Sequence, residues 1–471
     1  MRLRYAIMLI VAALAGCAVG PDYREPTQTV QDHFGNASQP GISESEVVVQ
    51  FWTLLNDPVL DRLVSDALAA NKDLAQAAGN LQASRAAARL TGFDAFPTVT
   101  AGGFYQRTRE SFHQLPGTTV EQRTFDTYDV GFDASWELDF FGRVRRAKEA
   151  ARADAGAAEA TLSDAIVSVT AEVARNYCVL RGLQDQLAVA ERNETNQRQT
   201  LNLTQTRLDA GRGTQLDVSR AAAQLATTEA TIPPLRISIA TTIHRLSVLT
   251  GRQPEVLVPE LSALRPMPTL PELNTIGGPE ALLRRRPDVR IAERNLAAAT
   301  ARIGVSVADL FPRITFIGSA SYNAGSWRDV GKADSQTYSL GPSITWAAFD
   351  LGRVRSRINI AHAATDIALA GYEAAVLNAL EDTENSLVSY GESQRREATL
   401  VRAATHSTTA ARLARQRFEG GLSDFLSVLQ AERDALAAED SLAQGRTQTA
   451  TSLIAVYKAL GGGWEGLPHP N

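Results

Sequence analysis

The segment WELDFFGRVR, Trp136–Arg145, returns 210 residues later as WAAFDLGRVR, Trp346–Arg355. Other landmarks keep the same spacing, so the shared W-x5-G-R-V-R marks an internal repeat. RLDAGRGTQLDV from Arg207 matches RFEGGLSDFLSV from Arg417, and SVLTG ending at Gly251 matches YKALG ending at Gly461, both 210 residues on. Upstream, the AFPTVT around Phe96-Pro97 answers the LFPRIT around Phe311-Pro312 at an offset of 215. The five-residue difference falls between the Phe-Pro and Trp landmarks and reads as a longer loop in the first copy. Between the copies runs a Pro-rich connector, 251–279, with little helix expected.

The period of the pattern changes at the quoted segment. Before it, Val130, Phe132, Ala134, Trp136, Leu138 and Phe140 alternate with Asp129, Gly131, Asp133, Ser135, Glu137 and Asp139, which predicts a strand with one apolar and one polar face. In the second copy Tyr338, Leu340, Pro342, Ile344 and Trp346 alternate with polar or small residues, and Ile314, Phe316, Gly318, Ala320 and Tyr322 share a face. The reading is two hairpins, four strands of about ten residues, which suits a membrane β-barrel with a wet lumen. A soluble sandwich would also alternate, but four strands and the N-terminus described below oppose it. Four strands cannot close a barrel, since the smallest membrane barrels have about eight, and open edges are forbidden in lipid. Several chains must contribute to one barrel.

After Gly142 and Gly352 the period becomes helical, as in Ile166, Val169, Val173, Tyr177, Leu180 and Leu187, or Val376, Leu380, Thr383, Leu387 and Tyr390. Each run continues to Gly211 or Gly421, and an unbroken helix of that length reaches roughly 100 Å. Return helices follow, ending near Gly251 and Gly461, and Pro233-Pro234 predicts a kink or break in the first. The motif therefore marks the handover from strand to long helix, with glycine relieving the backbone and arginines leaving the lipid surface for water.

The N-terminus, MRLRYAIMLIVAALAGC, has two arginines, an apolar run too short to span a bilayer, and small residues before Cys17. Leu14-Ala15-Gly16-Cys17 resembles a bacterial lipobox, whose cysteine receives a diacylglycerol and becomes the mature N-terminus. Cleavage there takes the formal net charge from −5 to −7. Ala18, where an inner-membrane retention signal would be acidic, favours an outer-membrane destination. Cys178 reads as a small buried apolar residue. Arginine outnumbers lysine 43 to 4, yet the charge is negative overall, which excludes a basic surplus for nucleic acid.

Cys17-Ala18-Val19-Gly20-Pro21-Asp22-Tyr23, then Phe51-Trp52, Asp57-Pro58 and Leu60, the paired Phe-Pro and Gly-Arg-Val landmarks, and Ile232-Pro233-Pro234-Leu235 together resemble the outer membrane factor family. These are the TolC-like exit ducts, in the NodT/OprM-like lipoprotein branch of RND-type efflux systems, and the resemblance spans essentially the whole mature chain. It implies an α+β membrane protein: an internally duplicated chain of long α-helical hairpins plus two β-hairpins. As a homotrimer it would form a 12-stranded β-barrel in the outer membrane, continued by a periplasmic α-helical barrel. It also implies an aperture at the helix-hairpin tips, a periplasmic adaptor (membrane fusion) protein docked there, and an inner-membrane RND-type pump. Asp217 matches the acid of the family's first hairpin, and Leu426 and Arg433 match an apolar constriction and a basic partner. Ser427 and Gln430 stand where relatives carry acids, so a Leu426 constriction with polar support from Asp217, Gln430 and Arg433 is expected. Gly420-Gly421-Leu422-Ser423 fits the family's Val-Gly-Leu-Thr-like docking turn, whereas Ala210-Gly211-Arg212-Gly213 keeps only the central glycine.

These readings divide the chain into a signal peptide (1–16), a lipidated segment (17–57), a first repeat (58–250, β-hairpin about 98–138), the connector, a second repeat (280–461, β-hairpin about 313–347) and a tail (462–471). Asp129, Asp133, Glu137 and Asp139 would face the lumen if the apolar face meets lipid, giving mild cation preference. Gly461-Gly462-Gly463-Trp464-Glu465-Gly466 spells G-x-G-x-x-G but lacks the strand before and helix after that a dinucleotide needs. The six histidines never fall at zinc-ligand spacing, and no catalytic motif occurs. No enzyme activity, cofactor, metal or nucleic-acid partner is expected. Three functions stay open: a drug-efflux duct, a duct for protein secretion or metal export, and a lipid-anchored periplasmic coiled-coil scaffold without a pore.

Overall fold

The computed structural model describes residues 18–27, 30, 31, 33–35, 50–271, 273 and 276–464. Helix α1 (Pro58–Ala70) starts where the Asp57 side chain accepts from the N–H groups of Val59 and Leu60, with proline at the first helical position. Helix α2 (Lys72–Phe93) leads to strands β1 (Thr98–Arg109) and β2 (Thr124–Leu138), then to α3 (Arg143–Asp209) and α4 (Gln215–Leu249). The connector holds the one-turn helix α5 (Val258–Leu261). The second copy repeats the order as α6 (Pro279–Arg285), α7 (Pro287–Ala308), β3 (Arg313–Ala324), β4 (Gln336–Thr345), α8 (Leu351–Glu419) and α9 (Phe425–Ala459).

The chain divides into two compact units. The first takes the described residues up to Thr27 with Leu81–Glu159 and Ile291–Glu373, and contains β1, β2, β3 and β4. They form one antiparallel sheet in the order β1-β2-β3-β4, so the two hairpins join through β2 and β3. Directly opposed residues share a face. Val130, Phe132, Ala134 and Trp136 of β2 oppose Tyr322, Ala320, Gly318 and Phe316 of β3, and Gln336, Tyr338, Leu340 and Pro342 of β4 continue the row. That face is apolar and open: Phe132 is 61% exposed, Leu340 71% and Tyr338 87%. The other face carries Thr100, Asp133, Ser319 and Ser339 in one row.

The five extra residues of the first copy are not mainly loop. The β1–β2 ladder has two more rungs than the β3–β4 ladder, running from Thr98↔Ser135 to Arg109↔Thr124 against Arg313↔Thr345 to Tyr322↔Gln336. Those two rungs absorb four of the five residues. Strand β2 also stops at Leu138, so Phe140 and Asp139, which alternation placed on the strand, lie beyond it.

The repeated tryptophan has the same task in both copies. Trp136 Nε1 donates to the Ala95 carbonyl and Trp346 Nε1 to the Leu310 carbonyl, each at 3.0 Å. The accepting residue lies two before the proline of the Phe-Pro landmark, so each indole ties the end of one strand to the start of its hairpin. The glycines differ. Gly142 has φ 81, but Gly352 lies inside α8 and does not need the left-handed region, because α8 begins one residue earlier at Leu351. What Gly142 accommodates is the N-terminal segment: a Cβ there would meet Ala18 Cα at 2.6 Å. Val19 N donates to the Phe141 carbonyl (3.1 Å), and the buried Arg146 guanidinium donates to the carbonyls of Val19 and Gly20 and to Asp22. Gly20 packs on Gly304 of α7 so tightly that a Cβ would come within 2.5 Å of its Cα. Residues 18–22 are thus strapped to the junction of strand and helix. In the second copy Ser356 stands where Arg146 stands in the first, and no strap could be held there.

The second unit takes the described residues of Gln28–Asn80, Ala160–Arg290 and Ala374–Asn471. The apolar stripe read on α3 is its core: Ile166, Val173, Tyr177 and Leu180 are essentially inaccessible, as are Leu246 of α4 and Val456 of α9. Phe51 stacks on Tyr457 at 5.1 Å, and Gly463 closes over the same place, where a Cβ would meet Thr170 Oγ1 at 3.0 Å. The glycine run after α9 is therefore explained by packing, while Glu465 and Gly466 lie outside the described residues. Helix α4 runs without interruption through Pro233 and Pro234, so of the kink or break expected there the break is absent. Two lost N–H donors are outweighed by burial on either side, at Ile232 and Ile239.

Cys178 is fully buried, and desolvation pushes its thiol up to about 12. Iodoacetamide at pH 8 is therefore expected to leave Cys178 unmodified in the folded protein and to label it in denaturant. Labelling at equal rates in both conditions would show the core around α3 to be open.

Candidate functional site at the helix-hairpin turns

The two long hairpins turn in the same way. Helix α3 closes with Gly211 N donating to Leu208 O (2.9 Å) and Arg212 N to Arg207 O (2.8 Å). Helix α8 closes with Gly421 N to Phe418 O (2.9 Å) and Leu422 N to Arg417 O (2.8 Å). This paired bonding requires a left-handed residue, and Gly211 and Gly421 have φ 69 and 73. Each return helix is then capped by a side chain. Thr214 Oγ1 accepts from Asp217 N, and Asp424 Oδ1 accepts from the N–H and hydroxyl of Ser427. These two donors hold the Asp424 carboxyl below the ordinary carboxylate range. Its cap therefore stabilises at neutral pH and is lost as pH falls through that lowered value.

The turns place most of the expected residues in solvent. Gly211 and Gly421 have open space where a Cβ would be, Leu422 is 73% exposed and Leu426 is 40% exposed. Ser423 Oγ is buried without a hydrogen-bond partner among the described residues. Gln430 and Arg433 are exposed. Asp217 accepts a 2.7 Å hydrogen bond from Thr214 Oγ1, so within one chain its carboxylate serves the cap, and no bond joins it to Arg433 among the described residues.

Behind the turns lie contacts that sequence reasoning missed. Phe418, Phe425, Val428 and Ala221 form an apolar cluster. Arg207 stacks over the Phe418 ring at 4.0 Å and donates to the carbonyls of Phe418 (2.7 Å) and Glu419 (3.3 Å), which ties the last turn of α3 to the last turn of α8. Deeper in, Glu432 of α9 is buried and accepts from Arg415 of α8 (2.6 Å) and Thr200 of α3 (3.1 Å). The available signal was a carboxylate on an apolar stripe, Phe425, Val428, Glu432, Ala435.

Among the acids expected on the polar face of β2, Asp129 accepts from Ser321 and Asn323, and Asp133 stands between Thr100 and Ser319. Glu137 is held in a two-pronged pair by Arg143. Asp139 does not face along the strand: its carboxylate accepts from the N–H groups of Val144 and Arg145 (3.0 and 2.9 Å), capping the start of α3. Cys17 lies outside the described residues, but the strap starts at the next residue.

The model of the outer membrane efflux protein family matches residues 63–252 and 278–462, one stretch for each copy. The chain belongs to this family. Nodulation protein T of Rhizobium leguminosarum bv. trifolii is 30% identical, over 98% of this chain and 97% of the relative. Toluene efflux pump outer membrane protein TtgI of Pseudomonas putida is 29% identical, over 98% and 99%. Among solved structures, the outer-membrane channel OprN is 42% identical and superposes with a TM-score of 0.89, covering 95% of this chain and all of that one. The resemblance read from the sequence is therefore right, and the fold is that of outer-membrane efflux channels. An efflux component of the outer membrane, not a member of an enzyme family, is what these turns belong to.

Gly421→Ala in this outer membrane efflux protein forces a Cβ into the left-handed region at no gain in contacts and is expected to cost about 1 kcal/mol. Gly211→Ala should cost the same, because the two turns bond alike. Thermal unfolding of the purified protein checks both, and an unchanged midpoint in either would show that the turn tolerates another conformation.

Proposed function

We propose that this protein is the exit duct of a tripartite efflux system, carrying drugs or other small toxic compounds out through the outer membrane. The single observation behind this reading is the four-stranded sheet, with an open apolar face and β1 and β4 as its edges. In hydrocarbon such edges need partners. Three copies, as the family resemblance implies, supply twelve strands in one closed barrel, comfortably above the minimum of about eight. The helix hairpins then continue the duct into the periplasm. A periplasmic adaptor protein docks at Gly211, Gly421, Leu422 and Ser423, and an inner-membrane RND-type pump supplies the cargo and the energy. Asp217, Leu426, Gln430 and Arg433 line the aperture, where Asp217 and Arg433 meet groups of neighbouring copies. Cys17 carries lipid, and the strap on Arg146 holds that anchor at the strand-to-helix junction, where a membrane surface would lie.

Cells lacking the protein are expected to accumulate more of a fluorescent efflux dye than cells with it restored. Equal accumulation across several dyes, with the protein confirmed in the outer membrane, would remove the drug-efflux reading and turn attention to secreted proteins and metals.

With Glu137 paired and Asp139 spent on a helix cap, the cation preference of the pore rests on Asp129 and Asp133. In a salt gradient the reversal potential should show mild cation preference, and Asp133→Asn should reduce it. Clear anion preference would show that the polar face of the sheet does not set the lumen charge.

A further inference from the structure

The two copies begin their long helices with the same arginines but not with the same acids. In the first copy Glu137 pairs with Arg143, Asp139 with Arg145, and Glu149 with Arg146. At the offset of 210 these acids become Ala347, Phe349 and Asn359. Arg353 and Arg355 keep the places of Arg143 and Arg145, and Arg357 is added where the first copy has Ala147. Asp350 pairs with Arg353 (3.0 Å) and Asp309 with Arg357 (3.4 Å). Arg355 is exposed, and its guanidinium has no partner among the described residues. The surface around it is bare as well. Gly142 is covered by Ala18, whereas a Cβ on Gly352 would meet nothing within 4 Å. Phe349, which precedes Arg355 by six residues as Asp139 precedes Arg145, is fully exposed, and Ile344 and Trp346 are exposed on the same stretch.

A guanidinium in the opening turns of a helix is opposed by the positive end of the helix dipole. Helix α3 offsets this with Asp139, whose carboxylate accepts from the helix N–H groups and from Arg145. Helix α8 has only Asp350, which Arg353 takes, and no carboxylate follows between Leu351 and Thr365. An apolar sheet face that ends in exposed aromatic rings and passes into guanidinium groups has the chemistry of a membrane interface, rings toward acyl chains and cations toward phosphates. We propose that the surface formed by Trp346, Phe349, Arg353 and Arg355 binds one glycerophospholipid of net negative headgroup from the periplasmic leaflet of the outer membrane. Its phosphate pairs with Arg355 as Asp139 pairs with Arg145 in the first copy. This rests on the exit-duct reading above, which puts the sheet in that membrane. A zwitterionic headgroup fits less well, because its ammonium would be brought against the guanidinium groups. The first copy meets the membrane surface through the segment strapped to Arg146, whose lipid is covalent. The second copy, with Ser356 in place of Arg146, meets it through a lipid of the bilayer, so that straps and bound lipids alternate around a ring of three copies.

The test reconstitutes the full-length protein in vesicles of equal parts phosphatidylethanolamine and phosphatidylglycerol, re-extracts it in mild detergent, and counts the retained lipids by native mass spectrometry. The wild type should retain phosphatidylglycerol in preference to phosphatidylethanolamine, at about one per chain. Arg355→Gln should lower that retention about tenfold, the effect of losing one charge-assisted pair. Phe349→Asp gives the second copy the carboxylate of the first and should do the same, whereas Phe349→Leu keeps an apolar group and should retain the lipid. Arg220→Gln makes the same charge change on an exposed arginine of α4 and should leave retention unchanged. Should Phe349→Asp fail to fold, the contrast between Arg355→Gln and Arg220→Gln decides alone. Equal retention of the two lipids, or retention unaffected by Arg355→Gln, overturns the proposal and would assign the surface to a neighbouring copy instead. Displacement of phosphatidylglycerol by inorganic phosphate would indicate a free-anion site and overturn it too. A wild-type protein that does not float with the vesicles would overturn the exit-duct reading itself.

Discussion

A backbone N–H or C=O in hydrocarbon must find its partner inside the protein, because no water is there to replace it. Strands β2 and β3 meet this requirement on both sides, and β1 and β4 on one side only. The rest of the architecture follows from that shortfall. One chain has too few strands to close a ring, so its apolar sheet face stays bare and its edges call for copies of itself. The same requirement explains why both tryptophans spend their indole N–H on a carbonyl just before the Phe-Pro step, where the chain leaves helical bonding and enters the ladder.

Duplication supplies the parts, and the departures from it carry function. The turns at Gly211 and Gly421 bond identically, and so do the helix ends at Gly251 and Gly461. Against that background Gly142 and Arg146 stand out, because their counterparts Gly352 and Ser356 have neither the left-handed backbone nor the guanidinium. The first copy has been adapted to grip the segment that follows Cys17. The buried pair of Arg415 and Glu432 is likewise unshared, since their copy-one counterparts are Gln205 and Ala222.

Long helices, glycine turns and alternating strands were legible in the sequence because each is a local pattern. What was not legible depends on partners. Alternation ran on through Asp139 and Phe140 because side-chain character does not show where the backbone leaves its ladder, and the carboxylate of Asp139 turned out to bond helix N–H groups. The number of rungs in each hairpin likewise depends on where pairing stops. The two prolines of α4 have a strong local preference that packing at Ile232 and Ile239 overrides. At the turns, the glycines and the exposed leucines were recognisable from spacing. Glu432 was not, since a charge in a helical run is read as a surface residue until the helices around it are known.

The unequal ladders have a consequence on the cell exterior. Two additional rungs lengthen the first hairpin by roughly 7 Å along its strands, and in a ring built from three copies long and short hairpins alternate. The outer rim is then notched, with three teeth formed by the connections between β1 and β2 and three recesses over those between β3 and β4. Phe112, Leu115 and Val120, exposed in the single chain on those connections, then belong to the teeth and not to the recesses.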